Sequence, residues 1–369
     1  MTSRLPVTTP ATARRLSTTG IPSMAKTKTE ASEMAVVRRN VLNDVDSRAD
    51  YVRGIKLLKH ENTTLTTAQF GIPGPANPVR TYDLFVIWHV FAMSTPVPPG
   101  GDPNIRNGAH RGPVFLPWHR IMLAWLEFHL QRVLGKPDFG LPYWDWSLDG
   151  SPPFPGGVPN PTASRLWENT PDALGGEGTP IPGGAFFFDP HDPTSFRVRI
   201  ITDSNGALRQ LVPERGLNRR FGLPNPFGSP TLPTVVDVLQ AFNTLLEPQL
   251  ATYDLPPFNA SSPGFRNWLE GFTGPGLHNQ VHRWVGGDMG PASSPNDPVF
   301  FLHHCNVDRI WEGWMAVNGR QYQPDMNAPA TLLGHRIDDP LVAPFVPEPT
   351  TPRALLDVTS IYAYDVPIP

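Results

Sequence analysis

The spacing of apolar and polar positions marks helices along much of the chain. Over residues 36–60, "VVRRNVLNDVDSRADYVRGIKLLKH", apolar side chains return at helical spacing, Val41, Val45, Val52, Ile55 and Leu58 among them. A helix is therefore expected as the first folded element. "TYDLFVIWHVFAM" (81–93) reads as a second helix on its length. "LPWHRIMLAWLEFHLQRVLG" (116–135) reads as a third, with Pro117 suited to the first turn and Gly135 to the stop. Later helices are expected in "LPTVVDVLQAFNTLL" (232–246), "FRNWLEGF" (265–272), "GLHNQVHRWVGGDMG" (276–290) and "NDPVFFLHHCNVDRIWEGWM" (296–315). In the last, Asp297 is the expected N-cap and Pro298 the first helical residue.

Composition changes the picture between these helices. The chain carries 46 Pro and 32 Gly, and from Leu148 to Thr234 it turns Pro/Gly-rich. A long decorated loop region is expected there, with a few short strands in runs such as "AFFF" (185–188) and "FRVRII" (196–201). Residues 1–35 are rich in Ser, Thr and Pro and poor in aromatics, so a disordered tail is expected before a single folded domain over 36–369. Arg14 and Arg15 are not followed by a continuous apolar run, which argues against a secretory signal and for a cytoplasmic protein; a transit peptide or a start at Met24 stays open.

Charge and cysteine exclude several classes. Lys and Arg number 30 against 33 Asp and Glu, a net of -3 without a like-charged block, so neither a nucleic acid nor a membrane surface is the expected partner. With one cysteine, Cys305, intramolecular disulfides and multi-thiolate metal sites are impossible.

The histidines carry the chemistry. His278 and His282 stand four apart, one turn along the same helical face, where two imidazoles can reach one ion. Of 11 histidines, His89, His110 and His119 fall in or before the second and third helices, and His278, His282, His303 and His304 fall in the later ones. Each group offers ligands close in sequence and another from a neighbouring helix, the way a helical bundle builds a metal pair. Imidazole ligands without carboxylates, and no Glu-x-x-His pair, favour copper over di-iron. His60, His129, His191 and His335 lack such a setting and are expected at the surface or in satisfied structural roles.

The strings "AHRGPVFLPWHR" (109–120), "PYWDW" (142–146) and "LHNQVHRWVGGDMGPASSPNDPVFFLHHCNVDRIWEGW" (277–314) resemble the two copper-binding regions of the tyrosinase family. The resemblance implies a mainly α fold, a four-helix bundle around two copper ions wrapped in Pro/Gly-rich loops. It implies His89, His110 and His119 as ligands of one copper and His278, His282 and His304 as ligands of the other. His303 would then sit just outside, since adjacent helical side chains diverge by about 100°. Family members often carry a thioether-bonded cysteine two residues before the second ligand; here that position is Gly108. Cys305 is expected to be a small buried hydrophobe.

The implied activity is O2-dependent oxidation of phenols to o-quinones, by ortho-hydroxylation of monophenols and oxidation of o-diphenols. Glu270 and Asn279 match the positions implied to hold a water that deprotonates the phenol. The alternatives are a catechol or o-aminophenol oxidase without useful monophenolase activity, and a haemocyanin-like oxygen carrier, against which the small side chains of "GPASSPND" (290–297) suggest an open mouth. "IYAYD" (361–365) resembles a Tyr-x-Tyr motif that packs near an arginine, here Arg38 or Arg39. Four residues follow Asp365, so no C-terminal shielding domain is expected, and the protein is either active as made or served by a separate copper-delivering chaperone.

Overall fold

Asp44 decides where the first helix begins. Its carboxylate accepts the Ser47 N–H at 2.7 Å, so α1 runs Val45–His60 instead of starting at residue 36. The computed structural model describes residues 35–224 and 228–368, and the expectation of a disordered tail falls outside the described residues except at residue 35. The first element is β1 (Val36–Arg38), paired in parallel with β6 (Tyr362–Tyr364). The helical expectation over 36–44 fails: residues 36–38 pair with β6 instead, and Arg38 is buried with its charge on partners from distant elements.

Those partners converge on one carboxylate. Asp308 is buried and accepts Arg120 Nε at 2.6 Å, Arg38 Nη1 at 3.3 Å and the hydroxyls of Tyr362 and Tyr364, each at 2.6 Å. Arg38 also donates to Glu127 at 2.9 Å and lies 3.5 Å from the Tyr362 ring centroid. Of the two arginines expected beside the Tyr-x-Tyr motif, Arg38 is the partner, while Arg39 points to Asp44.

The helices at 81 and 116 form as expected. They are α2 (Thr81–Ser94) and α3 (Phe115–Leu134), the latter closed by Gly135 at φ 64. Next come α4 (Trp146–Gly150), α5 (Val235–Gln240), α6 (Phe265–Glu270), α7 (Leu277–Val285) and α8 (Val299–Asn318). Helix α8 starts one residue later than expected, although Asp297 still accepts the Val299 N–H at 3.0 Å. Helix α5 is much shorter than its apolar sequence suggests. Only Val238 within it is buried, while Val236, Leu239, Leu245 and Leu246 face solvent, so no apolar stripe draws a longer helix onto the core.

The fold is mainly helical. Helix α1 packs on α2 and α3, α3 packs on α8, and α7 lies against α8. Seven tryptophans, Trp88, Trp118, Trp144, Trp146, Trp284, Trp311 and Trp314, are fully buried between these elements. The strands are few and short: β2 (Asn62–Thr66) pairs antiparallel with β3 (Pro78–Arg80), and β4 (Val198–Thr202) with β5 (Leu208–Arg215). "AFFF" is a turn, not a strand, because Phe186 inserts into the core with its ring centroid 5.0 Å from that of Phe196. Among the described residues no helix is long and apolar enough to cross a membrane.

Burial alone would push the Asp308 carboxyl up, but Arg120, Arg38 and the two tyrosine hydroxyls hold it below the usual Asp range. Its contribution to stability is therefore present above its unfolded value of about 3.9 and lost as pH falls through the lowered folded value. Asp308→Asn, which leaves two buried guanidinium groups undercompensated, should cost about 3–5 kcal/mol in urea unfolding at neutral pH. An unchanged midpoint with unchanged slope would show that this network does not fasten the chain ends.

Candidate metal centre

Four helices and one loop bring the candidate histidines together. His89 lies on α2, His119 on α3, His278 and His282 on α7, His303 and His304 on α8, and His110 on the segment between α2 and α3. His89, His110 and His119 form one group able to hold a metal ion, and His278, His282, His303 and His304 form another. The groups touch: the His119 and His304 rings stack with centroids 4.0 Å apart, and those of His110 and His278 lie 5.8 Å apart.

Orientation follows from hydrogen bonds to backbone carbonyls. His89 Nδ1 lies 2.6 Å from Ala292 O, His119 Nδ1 2.8 Å from Phe115 O, His282 Nδ1 2.8 Å from Met289 O, and His278 Nδ1 3.1 Å from Glu270 O. A carbonyl can only accept, so each Nδ1 must carry the hydrogen and each Nε2 keeps its lone pair. Two of those lone pairs meet another imidazole in the interior: His89 Nε2 is 3.1 Å from His110 Nε2, and His282 Nε2 is 3.4 Å from His304 Nε2. His119 Nε2 and His278 Nε2 are buried without any partner. Buried acceptors that meet no donor are unfavourable unless a cation stands beside them. The donor set fits copper on that ground.

Protonation agrees with this geometry. Burial, reinforced by neighbouring imidazoles, holds His89, His119, His278 and His304 well below the usual histidine range, and burial brings His282 down to about 4. These five rings are neutral at pH 7, as metal ligation requires.

Glu270 and Asn279 come to the same place. Asn279 Oδ1 and Glu270 O both lie 3.1 Å from His278 Nδ1. The Glu270 carboxylate is fully buried; Oε1 accepts the Arg111 N–H at 2.6 Å and lies 3.5 Å from His110 Nδ1, and Oε2 accepts Arg266 Nη1 at 2.8 Å. One residue thus touches a histidine of each group.

Residues 79–317 match the sequence model of the common central domain of tyrosinase. The chain belongs to the tyrosinase family. It is 37% identical over 291 residues to a tyrosinase of Streptomyces antibioticus, covering 77% of this chain and 89% of the relative. It is 34% identical over 306 residues to grixazone synthase of Streptomyces griseus, covering 77% and 90%. The fold is shared with a polyphenol oxidase of Thermothelomyces thermophila, at TM-score 0.61 and 21% identity over 89% of this chain and 88% of that one. As a tyrosinase-family member, the protein is a copper-dependent oxidoreductase.

Several residues that build the centre were not singled out in the sequence. The loop from Gly286 to Asp297 supplies two of the orienting carbonyls and is strapped from the Pro/Gly-rich middle region. Arg215 grips Asp288 through two bonds of 2.7 and 2.6 Å, and buried Arg219 grips Asp297 through two of 2.7 Å. Tyr82 OH donates to Pro295 O at 2.7 Å and Asn296 Nδ2 to Ile200 O at 2.7 Å. The one sequence signal was the Gly pair: a Cβ on Gly286 or Gly287 would meet Arg220 O at 2.6 Å or Asn218 O at 2.2 Å, and both residues have positive φ.

A Cβ at Gly108 would lie 2.8 Å from Val342 Cγ2, so a thioether cysteine has no room without rearrangement. Cys305 is buried, donates to Leu141 O at 3.3 Å, and burial pushes its thiol up to about 12. His335 is not at the surface; it is fully buried with Nε2 unpartnered, against Gly112. His303 stacks on His278 with centroids 5.1 Å apart, and neither of its nitrogens has a partner. Distance alone does not separate it from His304.

Orientation does predict a difference between the two. His304 Nε2 faces His282 Nε2, so His304→Ala should leave the protein one copper short of two by metal analysis. His303→Ala should bind both coppers while activity drops about 10 to 100-fold, as for a neighbour that packs a ligand in place. The opposite pattern of copper content would exchange the two roles.

Proposed function

We propose that the protein oxidises phenols to o-quinones with O2, with His89, His110 and His119 holding one copper, His278, His282 and His304 the other, and 36–369 forming the catalytic domain. The observation that carries this reading is the pair of touching histidine groups whose Nε2 lone pairs converge on one buried volume. When bound, the copper pair supplies O2 activation and electron exchange with the phenol.

The chain's own residues supply orientation, dryness and proton handling. Backbone carbonyls fix four of the six rings, which limits reorganisation during turnover. Four of the six rings are no more than 3% exposed, whereas His110 is 9% exposed and His282 is half-buried, so a phenol must enter on their side.

Proton removal falls to Glu270 and Asn279 in this reading. A phenol of pKa about 10 must lose its proton before its oxygen can serve as a ligand at neutral pH. A carboxylate offers about four acceptor positions, and the contacts from Arg111, His110 and Arg266 use three. The remaining one can hold a water, and the half-buried Asn279 amide, on the same His278 ring as the Glu270 carbonyl, is the second candidate to hold it.

A second reading rests on the same contacts. If the Glu270 carboxylate serves only to orient His110, the protein oxidises o-diphenols or o-aminophenols and hydroxylates monophenols poorly. Steady-state kinetics with a monophenol, a catechol and an o-aminophenol separate the two. In the monophenolase reading, Glu270→Gln should lower the ratio of monophenol to catechol kcat/KM by about 10²-fold with copper retained. Asn279→Ala, which leaves the Arg266 pair untouched, should lower the same ratio less. A ratio that does not move in either variant would establish the orienting role instead.

A further inference from the structure

Arg111 is the cation at the entrance that the reaction does not use. It follows His110, one of the two candidate ligands that reach solvent, and its own side chain is half-buried. Its backbone N–H is spent on Glu270 at 2.6 Å, but its guanidinium forms no ion pair and no hydrogen bond among the described residues. The group lies 5.1 Å from the ring centroid of Phe272, an exposed residue two positions after Glu270. An arginine, a buried carboxylate and an aromatic ring are thus assembled on the rim beside His110.

The backbone adds a second observation. Arg111 has φ 61, a left-handed conformation that costs a side-chain-bearing residue about 1–3 kcal/mol. Gly112 follows it and is needed where it stands, since a Cβ there would meet His335 Cε1 at 2.5 Å. The acid its backbone touches is already matched: Glu270 pairs with Arg266 at 2.8 Å. The Arg111 charge is therefore available to a ligand.

We propose that Arg111 determines specificity by pairing with a negatively charged substituent, a carboxylate above all, on the incoming phenol while Phe272 covers the ring's approach. A guanidinium presents a planar fork that matches a carboxylate in two bonds, and its stacking on an aromatic face keeps it extended at the rim. This deepens the phenol-oxidase reading and rests on it for the substrate class.

The test compares 3-(3,4-dihydroxyphenyl)propionate with its amide. The wild-type protein should favour the acid by about 10-fold in kcat/KM, the worth of one partly screened charge-assisted pair, with the difference in KM and shrinking at high salt. Arg111→Gln should abolish the preference between acid and amide, and Arg111→Glu should reverse it. Arg111→Gly, which relieves the positive φ, should lose the preference as Arg111→Gln does, and a glycine variant that keeps it overturns the proposal. Calorimetry on copper-free protein should show 3-phenylpropionate binding weakened by Arg111→Gln.

An acid-to-amide ratio unchanged in Arg111→Gln overturns the proposal, as does a preference that disappears instead in a Gln variant of exposed Arg283. If copper-loaded wild-type protein oxidises no phenol or catechol, the phenol-oxidase reading fails. Binding of the carboxylate to the copper-free protein then still decides the role of Arg111.

Discussion

The structure depends on one constraint: imidazole nitrogens must be aimed into the buried interior, where nothing in the apolar core would hold them. A histidine ring turns about two bonds, and burial does not choose which nitrogen faces inward. The choice is made by carbonyl oxygens that accept only from Nδ1, at Ala292, Phe115, Met289 and Glu270. Two of these lie on the ligand's own helix or the one before it. The other two lie on the irregular loop from Gly286 to Asp297, so that loop must be as well placed as a helix.

Its placement explains the middle of the chain. A loop cannot fix itself through a periodic hydrogen-bond ladder, so it borrows rigidity from ion pairs and side-chain bonds reaching across from residues 200–219. Arg219 and Asp297 are both fully buried, and a buried pair stabilises little once desolvation is counted. Its directional double bond does what a hydrophobic contact would not, which is to set one position for the backbone that carries the carbonyls. The Pro/Gly-rich segment is thus part of the centre although it contributes no candidate ligand.

The parts of the site legible in the sequence are those made of side chains with regular spacing. His278 and His282 stand four apart on α7, and Gly135 ends α3 in the left-handed conformation its position suggested. The parts that were not legible are made of backbone or of distant pairs. A carbonyl has no letter of its own, so the partners of His89 and His282 could not be read. Arg38 and Arg39 are adjacent and chemically alike; the strand β1 separates them, turning Arg38 into the core and Arg39 outward. Local apolar content misled over α5, because Leu245 and Leu246 have no facing element to cover them.

The same constraint makes the centre asymmetric. Five of the six proposed ligands ride on helices, whereas His110 rides on a loop held by Asn107, whose Oδ1 accepts the His110 N–H at 2.8 Å. Its outer nitrogen meets the Glu270 carboxylate at 3.5 Å, a longer and less directional tether than the carbonyl bonds of its neighbours. Local freedom concentrates where buried contacts and backbone ladders are fewest. His110 has no helical ladder behind it and, with His282, is one of the two more exposed of the six rings, so its position depends on Asn107 and Glu270 more than on secondary structure. Glu270 limits that freedom, and through its backbone carbonyl it also fixes His278, so a displacement on one side of the pair is felt on the other.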